Sequence, residues 1–387
     1  MNEFARQKSP ARCTLLLAIC LSAFSSLLAA ERSPRYSVIP LGESTPIDGE
    51  GWSENYVYPQ CINNNGDVVG ERSSSVVLYQ HGKIYELGYP REPFEPYAPA
   101  WLQAINERGE ILGIVYAESV MSFVLQSSPR PLPLTEARIV PVPNFTASGF
   151  NNYGTIVGYT YNRQTEIVTP VVYRDGRMTE LPKPFPGGDV IPSAINDRGE
   201  IVGAALFHDG VYRAVIWSGG RIKNLGVLPG FHTSGGGGIN NRGEVLGGCY
   251  GPDGNAGFIY RHGVMRPLPF PPGARQIFPV CINNGGDVLM YSVTWTANEL
   301  STDVYSFWLY DADGVLHDVT AIVAWPSRWR FQGMWAFDMN DRREIVAIAQ
   351  YLDRNLQSFS QGVLLVPQHK ANRPRISPFD RRLPVRR

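Results

Sequence analysis

The polar side chains of this 387-residue chain that could do chemistry recur on one fixed pattern. An Asn is followed four positions later by an acidic residue: Asn63 and Asp67, Asn106 and Glu110, Asn196 and Glu200, Asn240 and Glu244, Asn283 and Asp287, Asn340 and Glu344. In a seventh instance Asn151 is followed by Thr155. A ring of carboxylates is chemistry for calcium, which takes about six to eight oxygen ligands. One carboxylate per turn does not concentrate ligands as a single calcium loop does, whereas Asn and Gly are the residues that a tight turn requires. The expected role is therefore structural. No cofactor is expected, with calcium as the one ion the pattern could serve.

Other reactive constellations are missing from the sequence. The six His residues form no metalloprotease-type pair, and no Gly-x-Ser-x-Gly elbow offers a hydrolase nucleophile. Gly235 to Gly238 lacks the Lys-Ser/Thr of a phosphate loop. Beyond residue 30 the cysteines are Cys61, Cys249 and Cys281. An odd number leaves at least one free thiol or an intermolecular pair. Cys249 and Cys281 are the pair that could meet on neighbouring repeats, and burial as small apolar residues is the expected state of all three. No catalytic residue can be selected.

The remaining candidates are aromatic. Trp101 and Tyr97, Phe231, and the group Trp325, Arg328, Trp329 and Trp335 fall between the recurring phrases, with Phe331 and Arg330 interleaved in the last group. Aromatic faces beside Arg suit stacking on sugar rings or anchoring a protein partner.

What positions these residues is a repeat. The phrase apolar-Asn-x-x-Gly-acidic-apolar is spaced by 43, 45, 45, 44, 43 and 57 residues. Seven copies of a period in the forties, built from short apolar runs and turns, predict a seven-bladed β-propeller of four-stranded blades. In the fourth copy the strands read Ser193 to Ile195, Glu200 to Leu206, Arg213 to Trp217 and Arg221 to Leu225, with a turn at Asn196-Asp197-Arg198-Gly199. The last copy reaches a third strand at Val363 to Val366 and then Pro367, with no fourth. Arg35 to Gly42 resembles a fourth strand ending in Leu-Gly, so an N-terminal strand is expected to complete the last blade and close the ring. In such blades the tight Asn-Gly turns and the third-to-fourth turns emerge at one end of the ring. The longer second-to-third and blade-to-blade connections emerge at the other. The aromatic candidates are assigned to this long-loop end, with Ser292 to Asp303 and Ala324 to Met334 read as enlarged loops.

The stretch Gly210 to Gly226, following Ala194-Ile195-Asn196-Asp197-Arg198-Gly199, resembles the HAF repeat of probable extracellular bacterial proteins. The resemblance runs from about Tyr36 to Pro367. It departs from the His-Ala-Phe triplet, where Arg213-Ala214-Val215, Ala256-Gly257-Phe258 and Tyr305-Ser306-Phe307 stand instead. It implies export and a repeat fold, and no shared reaction.

The two ends differ from the body. Residues 1–30 read as a signal peptide, with Arg6, Lys8 and Arg12 before an apolar stretch of 16 residues and Ala29-Ala30 at the cleavage site. Residues 31–367 form one expected domain, and residues 368–387 a basic, disordered tail with seven cationic side chains against Asp380. Without those ends, 25 basic face 33 acidic residues. An acidic body excludes a nucleic-acid binder, while the basic tail suits contact with an anionic surface. No transmembrane span is expected after signal cleavage, and the expected location is secreted or periplasmic. The function read from these features is recognition of a glycan or protein at the long-loop end. A secreted enzyme acting on polysaccharide and a scaffold without small ligand are the alternatives.

Overall fold

The computed structural model describes residues 35–43, 45–46, 56–73, 75–88, 100–116, 120–125, 133, 138–139, 144–162, 164–294 and 304–368. The signal segment, the tail beyond Gln368 and Tyr97 lie outside the described residues.

Each copy of the phrase folds locally for the same reason. The Asn side chain accepts from the main-chain N–H groups two and four residues on, as Asn196 Oδ1 does from Arg198 (3.0 Å) and Glu200 (3.0 Å), which closes the turn. The turn residue before the acid then needs a positive φ, and glycine supplies it in six copies, for example Gly199 at 74°. The seventh copy has Arg343 there, at 61°.

Among the described residues these turns join seven antiparallel sheets. Blade one consists of Tyr58–Ile62, Val68–Arg72, Ser75–Gln80 and Lys83–Gly88. Blade two runs Ala100–Ile105, Ile111–Tyr116, Val120–Leu125 and Arg138–Ile139, and blade three Phe145–Phe150, Ile156–Asn162, Ile167–Arg174 and Arg177–Glu180. Blade four is Val190–Ile195, Ile201–Leu206, Tyr212–Ser218 and Arg221–Gly226. Blade five is Thr233–Ile239, Val245–Gly251, Gly254–Arg261 and Val264–Pro267. Blade six is Gln276–Ile282, Val288–Thr294, Val304–Tyr310 and Leu316–Asp318, followed by a short helix Val319–Ile322. Blade seven takes Arg330–Met339, Ile345–Leu352 and Ser358–Gln368 from the C-terminal part and Arg35–Pro40 from the N-terminal part. The protein is a seven-bladed β-propeller closed by its N-terminal strand.

The first strands begin earlier than the sequence indicates, because every one carries a bulge three residues before its Asn. The register shifts between Pro59 and Cys61, Leu102 and Ala104, Ala147 and Gly149, Pro192 and Ala194, Gly236 and Gly238, Pro279 and Cys281, and Ala336 and Asp338. A bulge adds twist and lets the strand accommodate residues that break simple alternation. Opposite it, the second strand passes so close that a Cβ on Gly203 would meet the Ile191 carbonyl.

The core lies between blades. Among the described residues the buried apolar side chains fall into seven clusters, each drawn from two neighbouring blades. One of them places Leu41, Ile62 and Val68 against Val346 and Leu364, joining the last blade to the first. Each such aliphatic side chain contributes about 1.5–3 kcal/mol on burial, so a gap at this joint would leave two faces wet.

Candidate functional site

At the Asn-turn end the polar residues are consumed by the fold. Each repeated Asn donates from Nδ2 to the main-chain carbonyl of the next: Asn63 to Asn106 (3.0 Å), Asn106 to Asn151 (3.5 Å), Asn151 to Asn196 (3.0 Å), Asn196 to Asn240 (3.0 Å), Asn240 to Asn283 (3.0 Å), Asn283 to Asn340 (3.2 Å) and Asn340 back to Asn63 (3.0 Å). A second ring lies one residue on. The N–H of each following residue donates to a side-chain oxygen of its counterpart in the next blade, from Asn64 to Glu107 (2.9 Å) around to Asp341 and back to Asn64 (2.7 Å). The acids four residues after each Asn accept from that Asn, as Glu244 does at 2.6 Å, and several also pair with Arg. These carboxylates are therefore engaged before any ion arrives, and among the described residues no group of three metal-ligating side chains is assembled.

The long-loop end is built differently. The residue five before each Asn begins the wall of the ring there, because the first strand runs from the long-loop end toward the Asn turn. The seven residues are Tyr58, Trp101, Thr146, Ile191, Gly235, Phe278 and Trp335. Trp101 pairs with Ile114 and Trp335 with Ile348, each eight residues after its own Asn, so the two indoles occupy equivalent places on blades two and seven. They are 58% and 39% exposed. Trp335 lies 4.6 Å between ring centroids from Tyr305 and 6.5 Å from Tyr291, and Tyr291 stacks on Phe278 at 4.8 Å. Tyr305 and Tyr250 are exposed beside them. Burial, with the neighbouring Tyr305 and Tyr250, pushes the Tyr291 hydroxyl above the ordinary phenol range, which keeps it a neutral donor.

The other sequence candidates are distributed unequally. Arg328 is exposed, and Phe231 is half-buried against the joint of blades four and five. Trp325 donates to the Thr320 carbonyl (3.1 Å) and stacks on Phe331 at 4.2 Å. Trp329 is 7% exposed and lies flat on Tyr351, at 4.2 Å and 6° between ring planes, so it seals blade seven and offers no open face. Arg330 to Met334, expected within an enlarged loop, belong to the first strand of blade seven. Tyr250, Tyr291 and Tyr305 escaped notice because they lie within strands. For Tyr291 the signal that could have found it is its register opposite the wall residue Phe278.

Two of the three cysteines meet one acid. All three are free thiols, and Cys61, Cys281 and Asp338 occupy the same place, two residues before the Asn, in blades one, six and seven. Blade seven lies between the other two, so Asp338 stands between the thiols. Its carboxylate accepts from the N–H of Ile62 (3.0 Å) and of Met339 (2.8 Å). It is half-buried by surface area, yet desolvation inside the ring wall outweighs those bonds and pushes it up to about 6. Burial, reinforced by Asp338, also pushes both thiols well up, so they are not activated nucleophiles.

Among the described residues no helix is long and apolar enough to cross a membrane. No protein-family model and no curated protein matches the sequence. Solved structures similar to it include the β-propeller domain of the trilobed protease from Pyrococcus furiosus, at 12% identity, 80% of this chain, 94% of that one and a TM-score of 0.45. TolB from Acinetobacter baumannii is similar at 11% identity, with 81% and 79% covered and a TM-score of 0.41. A gluconolactonase from Xanthomonas campestris is similar at 10% identity, with 85% and 99% covered and a TM-score of 0.36.

Proposed function

We propose that this protein is a non-catalytic binding propeller, exported from the cytoplasm, that holds a glycan at the long-loop end of its ring. The observation that carries this reading is the pair Trp101 and Trp335, two exposed indoles at equivalent places on the ring wall. An indole face accepts the C–H face of a sugar, and the hydroxyl of Tyr305, whose ring lies 4.6 Å from that of Trp335, supplies a polar contact at the rim. The resemblance to HAF repeats and the signal-like N-terminus support an extracellular or periplasmic setting. Three carboxyls with raised pKa do not argue for a glycosidase. Glu71, Glu107 and Asp338 lie on blades one, two and seven, and each accepts a hydrogen bond from the fold, from Gln60, Asn64 and Ile62 respectively.

The test is a thermal-shift and glycan-array screen of the secreted protein, with Trp101→Ala, Trp335→Ala and the double variant as controls. At least one glycan should raise the melting temperature, and the double variant should lose that shift while remaining folded. Glycan binding that persists undiminished in the double variant, or a protein partner captured in the absence of any glycan ligand, would overturn the reading.

A further inference from the structure

The break in the Asn-acid pattern at blade three has a spatial counterpart. In blades two, four, five and seven the turn carries Arg108, Arg198, Arg242 or Arg342, which pairs with Glu110, Glu200, Glu244 or Glu344 of its own turn. The guanidinium of each then lies over the turn glycine of the following blade. Arg198 covers Gly243, Arg242 covers Gly286 and Arg342 covers Gly66, each where a Cβ would stand, and Arg108 lies close to Gly154. Blade three has Tyr153 in place of that Arg and Thr155 in place of the acid. Among the described residues, nothing lies within 4 Å of the Cβ position on Gly199 of blade four.

The space so vacated is a cavity of about 490 Å³ between blades three and four. On the other side of Tyr153, between blades two and three, lies another of about 300 Å³. Tyr153 borders both and is 65% exposed. Both volumes fall within the roughly 300–1,000 Å³ of small-molecule sites. Tyr173 borders the smaller cavity but is 7% exposed, and its hydroxyl is closed off from the cavity space.

The charges select the class of ligand. Across the two cavities Arg108, Arg174 and Arg198 are balanced by Glu110, Asp175 and Asp197. A lining rich in donors and acceptors but without net charge favours neither an anion nor a cation. An exposed phenol ring flanked by such groups fits a ring with C–H faces and hydroxyl edges. We propose that the Asn-turn end carries a second binding site, in which Tyr153 stands between two adjoining subsites for a neutral sugar of one or two rings. It is at the opposite end of the ring from Trp101 and Trp335 and does not rest on their role.

Saturation-transfer NMR and calorimetry on the secreted protein test this, with glucose, galactose, mannose, N-acetylglucosamine and their β-linked disaccharides as probes. Three variants are needed. Tyr153→Ala removes the stacking face. Tyr173→Phe removes a hydroxyl that a ligand in the cavity cannot reach and serves as the control. Tyr153→Arg with Thr155→Glu rebuilds the Arg-acid pair of the other blades and fills the space over Gly199. At least one probe should bind, about tenfold more weakly to Tyr153→Ala and with unchanged affinity to Tyr173→Phe. It should not bind measurably to the rebuilt variant, whose melting temperature should equal or exceed that of the parent. Trp101→Ala with Trp335→Ala should leave this binding unchanged. No saturation transfer to any probe at millimolar concentration, or binding that survives in the rebuilt variant, overturns the proposal. A sugar lost with the Trp pair but not with Tyr153 belongs to the long-loop end alone.

Discussion

The side-chain amide of Asn340 donates to the main-chain carbonyl of Asn63 over 3.0 Å and across 277 residues of sequence, and with that bond a ring of seven becomes closed. Closure by the N-terminal strand at the rim is thus matched by closure at the inner wall. Asn340 also donates to Glu344 (2.6 Å) and accepts from the N–H groups of Arg342 and Glu344 (3.0 Å each). All four capacities of its amide are used in a buried place. Asn340→Ala leaves several buried partners unpaired at about 1–3 kcal/mol apiece, so a loss of roughly 3 kcal/mol is expected in urea denaturation. Asn151→Ala should cost less, because Thr155 gives Asn151 no carboxylate to hold. Equal losses at the two sites would show that the acid adds nothing to the turn.

Blades six and seven have exchanged two residues of the turn. Gly285 stands where blades two, four, five and seven have Arg, and Arg343 stands where the other six blades have Gly. Arg343 reaches back to Asp287 in a two-pronged ion pair at 2.7 and 2.9 Å, supplying the charge that position 285 lacks. Its left-handed backbone costs about 1 kcal/mol, and no Arg from blade six competes for the space over it. Arg343→Gly relieves that strain but leaves Asp287, 3% exposed, without its cation, so a net loss of about 2–4 kcal/mol is expected. Adding Gly285→Arg restores the arrangement of the other blades and should recover most of the loss. A double variant no more stable than Arg343→Gly alone would refute the exchange.

The turns were legible in the sequence because their chemistry is local: Asn closes the turn and Gly supplies the φ within one phrase. The inter-blade contacts were not. That Arg198 covers Gly243, or that Tyr153 leaves Gly199 open, depends on residues about 45 apart brought together by the ring, and no local pattern encodes it. The first strand of blade seven was read partly as a loop because Arg330, Gln332 and Gly333 interrupt its apolar run around a second bulge. Trp329 looked like a surface anchor for a related reason. Its partner Tyr351 comes from the next strand, and only the register shows the two rings face to face.

The closing strand carries its own test in Tyr36. The ring is fully buried in the joint of blades six and seven, and its hydroxyl has no hydrogen-bond partner among the described residues. Tyr36→Phe keeps the packing and removes an unpaired buried group, so stability should hold or rise by about 1 kcal/mol. Tyr36→Ala opens a cavity and should cost about 3–5 kcal/mol. A destabilising Tyr36→Phe would mean that the hydroxyl is paired in solution.

Asp338 makes stability depend on pH with a defined sign. Its carboxyl sits at about 6 in the fold against 3.8 for the free group, so the folded protein holds this proton more tightly than the unfolded chain. The stabilisation is fully present below about pH 4, declines as pH rises through 6, and is lost above it. Two pH units of separation correspond to roughly 3 kcal/mol. The adjacent thiols stay protonated throughout this window, since burial pushes both well up. Other carboxylates, such as Asp287, which its pairing with Arg343 holds low, act in the opposite direction but equally in parent and variant. The difference between Asp338→Asn and the parent isolates the effect. The asparagine is neutral at every pH and keeps an acceptor for one of the two N–H groups, so its stability relative to the parent should rise by about 2.5 kcal/mol from pH 4 to pH 7.5. Urea titrations at the two pH values measure this, and a constant difference would place the Asp338 carboxyl at its ordinary value.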